Sequence, residues 1–161
     1  MELYHGSSVI VEKPILVLQQ RTLDFGRGFY TTMNREQATD FAKKVSARRE
    51  SEKGYVSIYE IVDLETLKRE LNVLEFSSPD YDWLDFVFAN RNGTYADKVY
   101  DIVFGAVAND TIYRTFIAYE DGILTKDETI SRLKVIKLYN QMTFCTEKAL
   151  SFLKYIGNFK V

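Results

Sequence analysis

Asp24-Phe25-Gly26-Arg27-Gly28-Phe29-Tyr30-Thr31-Thr32 places two glycines, one residue apart, directly ahead of a run of aromatic and β-branched residues. Glycines so placed mark a bend or a close backbone approach, and Phe29 to Thr32 reads as a short strand leaving it. Upstream, Glu2–His5 reads as a first strand ending in the turn-prone His5-Gly6-Ser7-Ser8, and a loop holding Pro14 joins the two. Downstream, Ala38, Phe41, Ala42 and Val45 fall at i, i+3, i+4, i+7, the apolar stripe of a helix. Asn34 and Gln37 have capping-box spacing at its start, and the helix frays into the charged run Arg48–Lys53.

Tyr55–Val62 reads as a central strand and Asn72–Phe76 as a weaker one. Ser78 as N-cap with Pro79 at the first helical position opens a helix through about Ala89, with Trp83, Leu84, Val87 and Phe88 on one side. The continuous apolar run Tyr100–Val107 predicts a buried strand, and Asp110 a helix running to about Glu120, stopped by Gly122. Thr125 and Glu128 form a second capping box, ahead of a helix carrying Ile130 and Leu133. Met142–Cys145 reads as a strand, and Thr146 as the cap of a last helix with Ala149, Leu150, Leu153 and Ile156, ending at Gly157. Strands and helices mix without regular alternation, which predicts an α+β domain spanning residues 1–161.

With 161 residues, 46% of them apolar, the chain can bury a core of its own, and 23 aromatic residues against eight Gly and two Pro exclude disordered and collagen-like classes. Net charge is −2, distributed as +2 over residues 1–54, −6 over 55–102 and +2 over 103–161, so no overall field favours nucleic acid or an anionic membrane. Cys145 and His5 are the single cysteine and histidine, which excludes an internal disulfide and any zinc site of CxxC or HExxH type; no metal is expected. No signal peptide or long apolar stretch is evident, so the expected setting is cytoplasmic. Glycine patterns of Rossmann or P-loop type are missing as well.

Three places carry candidate chemistry: Tyr4-His5-Gly6-Ser7, Phe25-Gly26-Arg27-Gly28-Phe29-Tyr30, and Asn140-Gln141. Singly, each has a plain alternative: a turn histidine, an ordinary bend, a solvated strand start. Together, in this order, they resemble the three signature segments of the ADP-ribosyltransferase fold, in the His-Tyr-Glu branch that includes diphtheria toxin and the poly-ADP-ribose polymerases. The chain also resembles a bacterial family of unknown function with ADP-ribosyltransferase-like features, through Leu3 to Ser7, Asp24 to Thr32, Ala108-Asn109-Asp110 and Gln141 to Leu150. The fold so implied is a mixed, split sheet with flanking helices.

The resemblance implies NAD as co-substrate, His5, Tyr30 and Gln141 as the catalytic triad, and His5, Gly6, Ser7, Arg27, Gly28, Tyr30 and Phe41 as residues around the cofactor. His5 would bond a ribose hydroxyl, since a neutral imidazole donates from one nitrogen and accepts at the other. Gly6 would offer its backbone N–H and C=O to the nicotinamide carboxamide, with Ser7 as a further partner. Tyr30 would stack on the ring with its hydroxyl free, and Phe41, eleven residues on, stands where a second stacking tyrosine is common in the branch. Phe41 also lies on the helix stripe and has a core reading. Arg21 or Arg27 would meet the pyrophosphate.

The third segment departs from the branch: Gln141 stands where glutamate is usual. A full charge ~4 Å from the developing ribosyl cation, at an effective dielectric of ~20, is worth about 4 kcal/mol, or three orders of magnitude in rate. Glutamine therefore implies a slow enzyme, a carboxylate borrowed from Glu147 or Asp110, or a site that binds without turnover. The functions implied are transfer of ADP-ribose to a protein or nucleic-acid acceptor, as in toxins with a neutralising antitoxin or in phage defence; NAD glycohydrolysis; or a degenerate NAD or ADP-ribose-binding module. A separate reading gives the acidic segment Glu75, Asp80, Asp82 and Asp85, beside Tyr81 and Trp83 as exposed aromatics, to a basic partner.

Overall fold

The computed structural model describes residues 1–17, 23–106, 110–134 and 139–161, with the backbone alone at 110–113. Its strands are β1 (Glu2–Ser7), β2 (Phe29–Thr32), β3 (Tyr55–Glu60), β4 (Val73–Glu75), β5 (Ile102–Ala106), β6 (Asn140–Phe144) and β7 (Lys154–Lys160). The helices are α1 (Arg35–Arg48), α2 (Leu64–Glu70), α3 (Tyr81–Arg91), α4 (Asp110–Glu120), α5 (Lys126–Lys134) and α6 (Glu147–Leu150). The strands form one α+β-type mixed sheet in the order β4-β5-β6-β2-β1-β3-β7, antiparallel except for the parallel pair β4–β5.

Directly paired residues share a face, so the registers sort the side chains. Leu3, Phe29, Tyr59, Ile102, Met142 and Phe144 build the core on one face, together with Leu67 of α2 and Ala149 and Leu150 of α6. The other face carries two separate cores. Ala38 and Ala42 of α1 pack on Val56 at the β1–β3 side, while Trp83, Leu84, Val87, Phe116, Ile130 and Leu133 of α3, α4 and α5 pack around Val103 at the β5 side. Between those two cores run β1, β2 and β6, the strands that carry the three candidate segments.

Side-chain caps explain several helix starts. Asn34 Oδ1 accepts from Gln37 N–H (2.8 Å) and starts α1, although the Gln37 side chain accepts from the Thr32 hydroxyl (2.6 Å) instead of returning to Asn34. The second capping box forms fully: Glu128 Oε2 accepts from Thr125 N–H (2.8 Å) and Thr125 Oγ1 from Glu128 N–H (3.2 Å). α4 ends ahead of Gly122, whose φ of 70° suits glycine.

Several expectations need correction. The N-cap of α3 is Asp80, which accepts from Trp83 N–H, and not Ser78; a carboxylate two residues closer to the apolar run outcompetes the Ser-Pro pair. β1 runs on through Gly6 and Ser7 because β3 pairs with it that far. β3 lies second from the sheet edge, and β6 starts at Asn140, which puts Gln141 inside the strand. α2 was not anticipated. The last helix is a single turn: Thr146 caps Ala149 N–H, and the chain then returns as β7, whose Tyr155, Gly157 and Phe159 follow a period of two beside the edge of β3. Ile156 is the extra residue of a bulge there and is 45% exposed. Phe41 is not in the core either, being 51% exposed; α1 buries only Ala38, Ala42 and Ser46. Arg21, Val107 and Ala108-Asn109 lie outside the described residues.

The narrow stripe follows from how closely α1 lies on β1. A Cβ on Gly6 would come within 2.2 Å of the Ala38 carbonyl oxygen and 2.9 Å of the Ala42 nitrogen, both backbone atoms that cannot yield without moving the helix. Gly6→Ala is accordingly expected to destabilise the protein by roughly 3 kcal/mol or more in urea unfolding. Gly122→Ala, strained only in φ with no atom within 4 Å of its Cβ, should cost about 1 kcal/mol.

Candidate functional site

Met1 and Ile61 exchange both backbone hydrogen bonds, at 2.8 and 2.9 Å, and so fix the alternation along β1. Odd-numbered residues turn their N–H and C=O toward β3; Glu2, Tyr4 and Gly6 turn theirs toward β2. On that side the ladder consists of one pair, Tyr4↔Thr32. The next pair in register would be Gly6↔Tyr30, and it does not form. The Tyr30 carbonyl, which would accept from Gly6 N–H, is taken by His5 Nδ1 at 2.7 Å. The sheet is thereby notched between β1 and β2, with the peptide N–H and C=O of Gly6 facing the gap.

Because a carbonyl only accepts, His5 carries its proton on Nδ1 and leaves Nε2 as an acceptor. Its ring lies against Phe29, centroids 4.4 Å apart, on the face opposite Tyr30 and Gln141. Burial lowers its pKa, with the bond to Tyr30 opposing, so the imidazole is neutral at pH 7.

Tyr30 does not keep a free hydroxyl. It donates to the Gly26 carbonyl (2.5 Å) and accepts from Phe25 N–H (3.2 Å), fastening the glycine loop to β2. Burial, then the nearby Asp24, push its pKa far up, so it stays protonated. The loop is held further by the Asp24–Arg91 ion pair at 2.7 Å, and Arg91 also lies over the Phe116 ring. Gly28 packs directly on β6: a Cβ there would meet Thr143 Cγ2 at 2.5 Å and the Phe144 carbonyl at 2.9 Å. The Arg27 guanidinium donates to the Leu16 carbonyl at 3.1 Å, and Ser7 Oγ accepts from Val9 N–H at 3.4 Å.

Gln141 pairs with Thr32 of β2 and Gly105 of β5, on the same face as Tyr30. It is buried, and its Nε2 has no hydrogen-bond partner among the described residues. Thr143 Oγ1, two residues on, is in the same condition. Thr143 was missed by sequence reading; the available signal was a hydroxyl at the same strand parity as Gln141. Phe41 lies between Ala38 and Ala42, the two residues that press on Gly6, and its half-exposed ring is free of the core. The three candidate segments are thus neighbours across β1, β2 and β6, with His5 on one side of the sheet and Tyr30 and Gln141 on the other.

Of the substitute carboxylates, Glu147 is an exposed residue in the first turn of α6, and the side chain of Asp110 lies outside the described residues. Burial pushes the Cys145 thiol up to about 12, which disfavours the reactive thiolate. The acidic segment is largely spent within the chain: Glu75 pairs with Lys68 (2.7 Å), Asp85 with Lys126 (2.6 Å), and Asp80 caps α3. Trp83 is fully buried, its Nε1–H donating to the Ala106 carbonyl, so it is not an exposed aromatic. Among the described residues no group of His, Cys, Asp or Glu is placed to hold a metal, and no helix is long and apolar enough to cross a membrane.

Two measurements check this geometry. Tyr30→Phe should lose about 1–2 kcal/mol of stability through the loop bonds it removes. For His5, the folded pKa lies below the unfolded value, so the unfolded chain binds a proton first. Its contribution to stability is present above pH 6.5 and is lost as pH falls through the folded pKa. Urea midpoints from pH 7.5 to 5 should therefore fall more steeply for the native protein than for His5→Asn.

The family model described as "Protein of unknown function (DUF3990)" matches residues 1–155. No curated protein and no solved structure matches the chain. A match over nearly its whole length shows that the chain belongs to this family of unknown function.

Proposed function

We propose that the protein has an ADP-ribosyltransferase-like fold of the His-Tyr-Glu branch, with glutamine at the third position, and uses NAD to transfer ADP-ribose to a macromolecular acceptor. The observation that carries this reading is the notch: a glycine whose pairing with Tyr30 is missing from the ladder, next to a neutral histidine and across β2 from Gln141. A carboxamide has one donor group and one acceptor, the complement of the Gly6 N–H and C=O. Glycine is needed there for α1 as well, since no side chain fits beneath Ala38.

In this reading the nicotinamide carboxamide bonds Gly6, and Phe41 covers the ring from α1. His5 Nε2 accepts from a ribose hydroxyl because Nδ1–H is committed to Tyr30. Tyr30 acts chiefly by holding the glycine loop against β2, and Arg27, tied to Leu16, belongs to the same loop. The C1′–N glycosidic bond breaks with its electron pair leaving on nicotinamide, whose ring loses its positive charge. A nucleophilic oxygen or nitrogen of the acceptor then bonds C1′ and gives up its proton. Gln141 orients the ribose by hydrogen bonding but supplies no counter-charge, so turnover is slow. A toxin paired with an antitoxin, or a phage-defence enzyme, acting in the cytoplasm, is the setting this chemistry fits.

The uncharged amide of Gln141, whose Nε2 has no partner among the described residues, favours one second reading, a module that binds NAD or ADP-ribose without turnover, with water-consuming glycohydrolysis between the two. Nicotinamide release from NAD, followed by chromatography with and without cell extract, separates them. The transferase reading expects slow release that extract accelerates, and Gln141→Glu should raise it at least about tenfold, toward the ~10³ limit set by a full charge. Binding in calorimetry with no release, unchanged in Gln141→Glu, supports the module. Phe41→Ala should weaken NAD binding by up to about tenfold with little change in stability. Absence of both binding and release overturns the proposal.

A further inference from the structure

Two buried side-chain polar atoms have no hydrogen-bond partner among the described residues, Gln141 Nε2 and Thr143 Oγ1. They stand two residues apart on β6, hence on one face of one strand. Leaving such atoms unpaired costs stability, and among the described residues both lie on β6, the strand across β2 from the notch. Neighbouring strand positions do not relieve it. The Thr32 hydroxyl, opposite Gln141, donates to Gln37 Oε1 at 2.6 Å, and the Tyr30 hydroxyl, opposite Thr143, is spent on Gly26. On the β5 side the facing residues are Gly105 and Val103, neither with a polar side chain.

We propose that Thr143 is a positioning residue for Gln141: when the notch is filled, Gln141 Nε2 donates to Thr143 Oγ1, and the link turns the amide oxygen toward the ligand. This rests on the NAD reading above. Residues i and i+2 of a strand stand about 7 Å apart, a gap that the glutamine side chain and one hydrogen bond span. The hydroxyl accepts from the amide, which leaves Oε1 to accept from a ribose hydroxyl.

Calorimetric NAD affinities of Thr143→Val, Thr143→Ser, Gln141→Ala and the Gln141→Ala/Thr143→Val double variant test the link. Thr143→Val should weaken binding about fivefold and Thr143→Ser less than about twofold. In the double variant the Thr143→Val loss should vanish, because its effect passes through Gln141. The ligand-free Thr143→Val protein should melt no lower than the native one, which a purely structural hydroxyl would not allow together with weaker binding. Nuclear magnetic resonance adds a direct readout: the Gln141 side-chain amide protons should become protected from exchange on adding NAD, and remain unprotected in Thr143→Val. Should Thr143→Val fail to fold, Thr143→Ala carries the same comparisons. An affinity loss under about twofold, or one that persists undiminished with Gln141→Ala, overturns the link and leaves the NAD reading standing. Native protein that binds no NAD removes both.

Discussion

The imidazole of His5 captures the carbonyl of Tyr30, and the rest of the candidate site is arranged around that one hydrogen bond. Where an ordinary antiparallel pair would continue, a side chain intercepts the acceptor, and the neighbouring peptide group of Gly6 is released from the ladder. The sheet tolerates the loss because β1 is fully paired to β3 and β2 to β6, so each strand keeps one complete partner. Burial keeps the ring neutral, and neutrality together with the carbonyl settles which nitrogen bears the proton. One contact therefore sets the geometry of the notch and the polarity of its histidine.

The surroundings divide into parts that brace the notch and parts that give up stability beside it. Tyr30, Asp24 and Arg91 lock the glycine loop through bonds that need no ligand, so the Tyr30 hydroxyl, expected to be free, instead ties the loop to β2. Gln141 and Thr143, by contrast, bury polar atoms that have no partner among the described residues. A fold selected for stability alone would place apolar side chains there, as it does at Met142 and Phe144 on the opposite face of the same strand.

Much of this was legible in the sequence because it is local. Asn34, Thr125 and Thr146 start helices through bonds reaching no further than three residues, and the glycine spacing of Gly26 and Gly28 announces a loop packed tightly on a strand. The three segments fall on β1, β2 and β6, and their order alone does not reveal that these strands are adjacent. What stayed hidden depends on distant partners. Leu150, Leu153 and Ile156 keep a helical spacing, yet the open edge of β3 draws the chain into β7. Phe41 looks like core until α1 is seen to lie so close to Gly6 that only alanine fits between them. Trp83 reads as an exposed neighbour of acidic residues until α5 and β5 close over it.

The strand order has a consequence for when the site comes into being. β1, β2 and β3 are close in the chain and can associate early, and β4 and β5 form a second unit, but β6 is the strand that joins β5 to β2. It is laid down more than one hundred residues after β2 and must insert between strands already in place. Long-range insertion of this kind is slow, because loop closure is costly before the contacts that reward it exist. Gln141 and Thr143 arrive with that strand. A partly synthesised or partly folded chain thus holds His5 and Tyr30 without Gln141, and completion of the sheet and assembly of the candidate site are one event.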